Sequence, residues 1–340
     1  MEAVPESYSH PHERLQFLEP QVNLARRTPV RMWIASICAF MVVIQSSLGD
    51  SFASLTVALS AVAAAVITEF IILYRVKKTA RELRDGSAVA SALILAILLP
   101  NQIPPLHAAF GAVFAIAVVK HSFGGLGSNW LNPAAAGWLF IRFSWPASFS
   151  QALSASPLAH LLTPALYIEA VASAEAVAPT GAGFLSEAAY SLYAAMLASS
   201  YPGIIADRGW IALLFGAVIM LVLRVNRFWI PLAYIAVFSL LVSFAAALPH
   251  GGLPWSGDVI FSLLSGGTLA AAFLLANDPV TAPKTNIGIL IAVAAMAVIT
   301  FFFRFYGAEP YGAFYAVVLV NASVPLIRAI ERYKLYERFS

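Results

Sequence analysis

A chain of 340 residues that is 60% hydrophobic and only 11% charged, with a mean hydropathy of +0.81, lies far from soluble domains, where about a quarter of residues are charged, and reads as an integral membrane protein. Its net charge of +3 comes from short basic clusters between apolar runs, the pattern of cytoplasmic membrane loops, so the lipid bilayer and not nucleic acid is the expected partner. One cysteine, Cys38, and six histidines with no ligand spacing beyond the His10/His12 pair argue against a disulfide framework, an iron–sulfur cluster or an intrinsic metal centre.

Residues 1–28 are polar and lack the apolar core and small-residue cleavage site of a signal peptide, which predicts a cytoplasmic N-terminal tail. Apolar spans follow at about 32–49, 53–75, 87–100, 106–120, 133–148, 209–224, 229–248, 259–276, 286–305 and 311–327, judged against the roughly 20 residues needed to cross a bilayer. Arg75, Lys77, Lys78, Arg81 and Arg84 follow the second span, Lys120 the fourth, Arg224 and Arg227 the sixth, Lys284 the eighth, and Arg328, Arg332, Lys334 and Arg338 the tenth. Every even-numbered exit is basic, so the positive-inside rule predicts that both termini are cytoplasmic. The predicted organisation is a first membrane repeat over 29–150, an extracytoplasmic loop over 151–208, a second membrane repeat over 209–328 and a C-terminal cytoplasmic tail over 329–340.

The stretch 265–285, SGGTLAAAFLLANDPVTAPKT, breaks this pattern. A short apolar run meets Asn277, Asp278 and Pro279, and a new apolar run begins just beyond Lys284. Proline ends a helix, and an ionised carboxylate at the centre of a span costs roughly 2.5–3.5 kcal/mol on insertion scales. Gly86-Ser87, a short apolar run and Pro100-Asn101 repeat the design in the third span of the first half. Paired, glycine- and proline-interrupted spans in corresponding places point to an inverted-repeat transport fold with broken helices: an all-α membrane protein of about ten spans in two five-helix repeats.

Five segments together resemble a known family: DGSAVASALILAILLPNQIPP at 85–105, KHSFGGLGSNWLNPAAAGWLF at 120–140, WIPLAY at 229–234, the 265–285 stretch, and RFYGAEPYGAFYAVVLVNASVPLI at 304–327. The chain resembles the D subunit of the Rnf electron-transport complex and the homologous B subunit of the Na+-translocating NADH:quinone reductase. The resemblance implies a ten-helix component of a redox-driven pump for Na+ or H+ in the bacterial cytoplasmic (inner) membrane, working beside other membrane, flavin and iron–sulfur subunits. It also implies FMN esterified to the last threonine of an Asp-x-x-[Ser/Thr]-Gly-Ala-Thr motif in the outward loop. Here that place reads Val177-Ala178-Pro179-Thr180-Gly181-Ala182-Gly183. Gly183 has no hydroxyl to esterify, so covalent FMN is not expected, and a bound FMN or riboflavin would be non-covalent.

No residue is assigned a catalytic role. Asp278, with Asn277 and Asn132, is the candidate ion path, since carboxylate oxygens and helix C-terminal carbonyls suit a hard cation; Asp278 as the N-cap of the next helix is the competing reading. Gly124, Gly125, Gly127 and Thr268 are candidates for a non-covalent flavin, although a glycine turn also serves close helix approach. Lys120 beside that turn is placed to attract an anion. Asp85 with Ser87 is read as the cap of the third span, Arg304 as snorkelling or pairing with Glu309, and the tryptophans, Trp138 included, as an interfacial belt. A stand-alone transporter or channel on the same repeat fold, without redox chemistry, is the alternative function.

Overall fold

The computed structural model describes residues 28–77, 81–122, 124–125, 127–154, 194, 196–199, 203–250, 253–255, 257–307 and 309–339. The motif place around Gly183, the N-terminal tail and most of the 151–208 loop lie outside them.

The described residues form helices, with one isolated antiparallel bridge between Pro100 and Ile204. In chain order they are α1 (Thr28–Leu48), α2 (Ala53–Ile72), α3 (Ser87–Ile97), α4 (Pro105–Phe114), α5 (Pro133–Ser144), α6 (Pro146–Ser154), α7 (Ile205–Arg208), α8 (Trp210–Val222), α9 (Trp229–Ala245), α10 (Val259–Leu264), α11 (Thr268–Ala270), α12 (Asn286–Phe305) and α13 (Gly312–Phe339). Wider π turns continue α2 over Leu73–Lys77, α4 over Ala115–His121 and α11 over Ala271–Leu275. Among the described residues, four stretches are long and apolar enough to cross a membrane: Pro29–Leu48, Ala53–Arg75, Asn286–Phe305 and Gly312–Glu331. Shorter apolar helices, among them Ser87–Ile97, Pro105–His121, Trp210–Val222 and Trp229–Ala245, pack between and around them.

The eighth apolar run is not one helix. It divides into α10 and α11 at 265–267, where Gly266 and Gly267 adopt left-handed φ of 66° and 69°. The third run starts alike, with Gly86 at φ 73° ahead of α3. A β-carbon on Gly267 would collide with the Phe314 ring and one on Gly86 with the Trp33 indole, so at both breaks only glycine supplies both the conformation and the close approach. The fifth run also divides, into α5 and α6 at Trp145-Pro146, because proline cannot donate to the preceding turn.

Within the first half, α1 and α2 pack on α3, α2 packs on α4, and α5 on α3 and α4. Within the second, α8 packs on α11, α9 on α10 and the 271–275 turn, α9 on α12, and α13 on α12 and that same turn. Between the halves, α1 lies against α8 and α5 against α13. Small residues dominate the seams: Ala58, Ala61, Ala65, Ala96, Ala108, Ala112, Ala135 and Ala297 are all buried, the composition that lets membrane helices approach closely where no hydrophobic force drives them together. Large apolar side chains such as Ile37, Phe40, Ile67, Phe215 and Ile291 face outward instead. Trp138 departs from the belt expected of it. It is fully buried, with its indole edge-on to Phe149, Phe314 and Tyr315, because α5 runs inside the bundle against α13.

Candidate functional site

The break after the 271–275 turn carries Asp278, and three elements converge on it. From α5, Asn132 uses both ends of its amide. Its Oδ1 caps the helix by accepting from Ala134 N and Ala135 N at 3.0 and 3.2 Å, while its Nδ2 donates to Asp278 Oδ2 at 3.1 Å. Pro133 at the first helical position has no N–H to leave unpaired. The carboxylate therefore faces the positive end of α5 through a residue anchored to that helix.

Asp278 Oδ1 accepts from Val280 N at 3.0 Å, and the Thr281 side chain also bonds the carboxyl. The first of these contacts is a local turn. The N-cap of the following helix is Thr285, whose Oγ1 accepts from Gly288 N at 3.0 Å. Asp278 is thus not the cap of α12. Hydrogen bonds from these neighbours leave lone pairs on the carboxylate for a further ligand.

The third element is α13. Its 28 residues span about 42 Å, longer than the apolar layer, and its C-terminal half grips the break from one face. Arg328 Nη2 donates to Val280 O and Ala282 O at 2.7 and 2.6 Å. One turn on, Glu331 accepts from Lys284 N at 3.1 Å, Thr285 N at 3.2 Å and Thr285 Oγ1 at 2.5 Å. Carbonyls go to the cation and N–H groups to the anion, so these four backbone groups of the 280–285 segment are satisfied where free polar groups are costly. Asn277 faces away: its Oδ1 accepts from Arg227 N at 3.2 Å in the turn before α9, beside Asn226, whose Nδ2 donates to Phe273 O at 2.7 Å.

A small cavity of about 10 Å³ lies beside Asp278, lined by Asp278, Thr281, Ala292, Met296 and Asn321 among others. Asn321 is 1% exposed, and its Nδ2 has no partner among the described residues. An unsatisfied buried amide costs about 1–3 kcal/mol.

The opposite ends of the broken spans are held by buried cations. Arg304, 2% exposed, donates through Nη1 to Ser262 O and Thr268 Oγ1, both at 2.6 Å, and through Nη2 to Ser265 Oγ at 3.0 Å. It neither snorkels nor pairs with Glu309, whose Oε1 takes Arg142 Nη2 at 3.1 Å. The carboxylate near Arg304 is that of Asp207, on α7, which accepts from Gly266 N and Gly267 N at 2.9 and 2.8 Å. In the first half Lys120 pairs with Glu69 and donates to Ser87 Oγ at 2.5 Å, with His121 Nε2 3.4 Å from the same Glu69 oxygen. Lys120 is therefore already neutralised inside the protein. The cap of the third span is Gly86 and not Asp85, which stands one residue earlier and accepts from Ser87 N at 2.7 Å through Oδ1.

The four flavin candidates do not meet. Gly124, Gly125 and Gly127 lie in the turn between the 115–121 π turn and Asn132, with φ of 114°, 105° and 93°. Thr268 begins the span that Asp278 ends, and its hydroxyl donates to Ser262 O and Ser265 O at 3.1 and 3.0 Å while accepting from Arg304. Residue patterns alone do not single out Glu69, Asp207, Arg208 or Asn321. Glu69, a lone carboxylate within the apolar run ITEFII, carries the clearest signal, since such residues within spans are rare and paired.

Residues 17–337 match the family described as NQR2, RnfD, RnfE. Among individual proteins, the chain is 30% identical over 323 residues to the D subunit of the proton-translocating ferredoxin:NAD(+) oxidoreductase complex of Clostridium ljungdahlii, covering 91% of each chain. It is 31% identical to the D subunit of the ion-translocating oxidoreductase complex of Erwinia tasmaniensis, over 82% of this chain and 85% of that one. It is 31% identical to the D subunit of the Na(+)-translocating ferredoxin:NAD(+) oxidoreductase complex of Acetobacterium woodii, over 81% and 80%.

Proposed function

Because the chain belongs to the NQR2, RnfD, RnfE family, we propose that it is a multi-pass membrane component of a redox-driven, ion-translocating electron-transport complex of the Rnf type, and that it contributes an ion pathway and a scaffold for its neighbours. Those neighbours are further membrane subunits and subunits carrying flavin and iron–sulfur groups. The observation that carries the reading is the Asp278 site: a carboxylate at the end of a broken span, anchored to α5 through Asn132, with the backbone just beyond it gripped by α13. Helix termini meeting a carboxylate at a break in a span are the arrangement by which transporters hold a coupling cation. The cation is Na+ or H+, the two ions named for the relatives.

We read the bundle as ten spans in two inverted repeats. α1, α2, α3, α4 and α5 with α6 form the first; α8, α9, α10 with α11, α12 and α13 form the second. The matched packing of the halves supports this, and so do three local correspondences. Left-handed glycines precede α3 at Gly86-Ser87 and α11, the second segment of the second repeat's third span, at Gly267-Thr268. The hydroxyl of each receives a hydrogen bond from a buried cation near the end of the fourth span, Lys120 or Arg304. Asn101 and Asn277 each bond the turn between first and second spans, at Asp50 and Arg227. The basic even-numbered exits support a reading with both termini in the cytoplasm and Asp278 on the cytoplasmic side, and the bacterial relatives support the inner membrane. Any flavin is held non-covalently, near the N–H groups of the 124–127 turn, because Gly183 offers no hydroxyl.

The test is Asp278→Ala in the assembled complex, with cation-dependent electron transfer as the readout. Loss of cation stimulation with the complex intact is expected, and an unchanged cation dependence removes the assignment.

A further inference from the structure

The cavity beside Asp278 contains a second polar group that the ion path of Asp278, Asn277 and Asn132 does not use. Asn321 sits on α13 among Ile289, Ala292, Val293, Met296 and Val324, an apolar wall in which a buried amide has no packing advantage over leucine. Its side chain is 1% exposed, and its Nδ2 has no partner among the described residues. It lines the same water-sized space as Asp278 and Thr281. Cavities without polar walls stay dry, whereas a buried polar cavity of this size holds one small, hydrogen-bonding occupant.

The occupant must suit an aspartate carboxylate, a threonine hydroxyl and a carboxamide that turns either its oxygen or its nitrogen inward. It must also be small, since the space admits about 10 Å³ of water-centre positions. A dehydrated monovalent cation satisfies both, and so does a hydronium ion. Magnesium, by contrast, sheds its waters reluctantly and demands near-octahedral geometry.

We infer that Asn321, together with Asp278 and Thr281, forms a single-occupancy station for a small oxygen-ligated cation, Na+ or hydronium, one step inward from the cytoplasmic break. Asp278 supplies the charge, and Asn321 takes over part of the coordination as the ion sheds water and enters the bundle. The inference rests on the reading of Asp278 as an ion-path residue. It makes Asn321 a selectivity residue, because a neutral amide ranks ions by size and field strength without holding them by charge.

The experiment uses the complete complex in sealed inverted vesicles, with electron transfer and ion movement measured together for the wild type, Asn321→Leu, Asn321→Ser and Asp278→Ala. In the sodium arm, Asn321→Leu raises the half-saturating Na+ concentration roughly tenfold, the scale on which loss of a group supporting a bound metal is felt, and changes the Na+ over Li+ preference. In the proton arm, at trace Na+, it shifts the pH of half-maximal pumping by about one unit, the same tenfold factor. A residue that serves packing alone would lower assembled protein without moving either value. Where Asn321→Leu does not assemble, the Na+/Li+ ratio or half-maximal pH of Asn321→Ser decides. Wild-type values in both arms, in an assembled complex, overturn the inference. If Asp278→Ala also keeps wild-type coupling, the ion-path reading itself has failed; if Asp278→Ala abolishes coupling and the Asn321 variants do not alter it, only the station has.

Discussion

Single residues in this protein carry more than one task, and Arg304 shows how. Its guanidinium holds Ser262 O, Ser265 Oγ and Thr268 Oγ1 at once, and it lies near the Asp207 carboxylate that binds the N–H groups of Gly266 and Gly267. The helix break at 265–267 is thus closed from both sides, with its carbonyl and hydroxyl oxygens on a cation and its N–H groups on an anion. Replacing Arg304 with alanine leaves Ser262 O, Ser265 Oγ and Thr268 Oγ1 without their charged donor, and a hydrogen bond to a charged group contributes about 1.5–3 kcal/mol. A clear drop in the thermal unfolding midpoint of the solubilised protein is expected. Arg304→Lys is expected to recover only part of it, because an ammonium lacks the planar fork that reaches several acceptors in fixed geometry. Sequence pattern marks Arg304 as a cation on an outward rim, but its partners come from α10 and α11, some 36 to 42 residues away in the chain, and no local spacing encodes that meeting.

Between elements, the backbone of the eighth-span break is organised by a helix distant in sequence. Arg328 and Glu331 are three apart on α13, hence on one face, and they take opposite backbone polarities of the 280–285 segment. Removing Glu331 frees two backbone N–H groups and the Thr285 hydroxyl. Hydrogen bonds to a charged group contribute about 1.5–3 kcal/mol, so Glu331→Ala is expected to speed amide exchange at Lys284 and Thr285 by roughly ten- to a hundredfold. Unchanged exchange would mean that the segment is ordered by something other than this grip. The break itself is legible in the residues: proline, aspartate and a short apolar run are local signals with local physics. The partners are less so. Asn132 and Asp278 fall in one candidate path by their residue types, yet the contact between them joins positions 146 apart. Asn321, inside a continuous apolar helix, stands out in no pattern, because its isolation becomes visible only when the walls of the cavity are known.

For the molecule as a whole, the family places the chain within a class of redox-linked membrane subunits, and glycine at residue 183 removes the hydroxyl that the implied covalent FMN would need at that position. Denaturing electrophoresis followed by ultraviolet illumination is expected to show no fluorescent band at the mass of this chain, 36.4 kDa. A fluorescent band would show that a hydroxyl elsewhere, at Thr180 or Ser186, had taken the ester. Residues alone suffice to establish that this is a membrane protein, that the eighth span is broken, where Asp278 falls, and that residue 183 cannot be esterified. These follow from composition, proline and glycine chemistry and the presence or absence of an atom, and none depends on distant neighbours. It takes the packed bundle to show that Arg304 ignores Glu309, that Lys120 is matched by Glu69, that Trp138 is core and that Asn321 shares a cavity with Asp278. In a bilayer an unpartnered buried polar group is costly, and which partner such a group finds depends on helix packing that residues close in sequence do not specify.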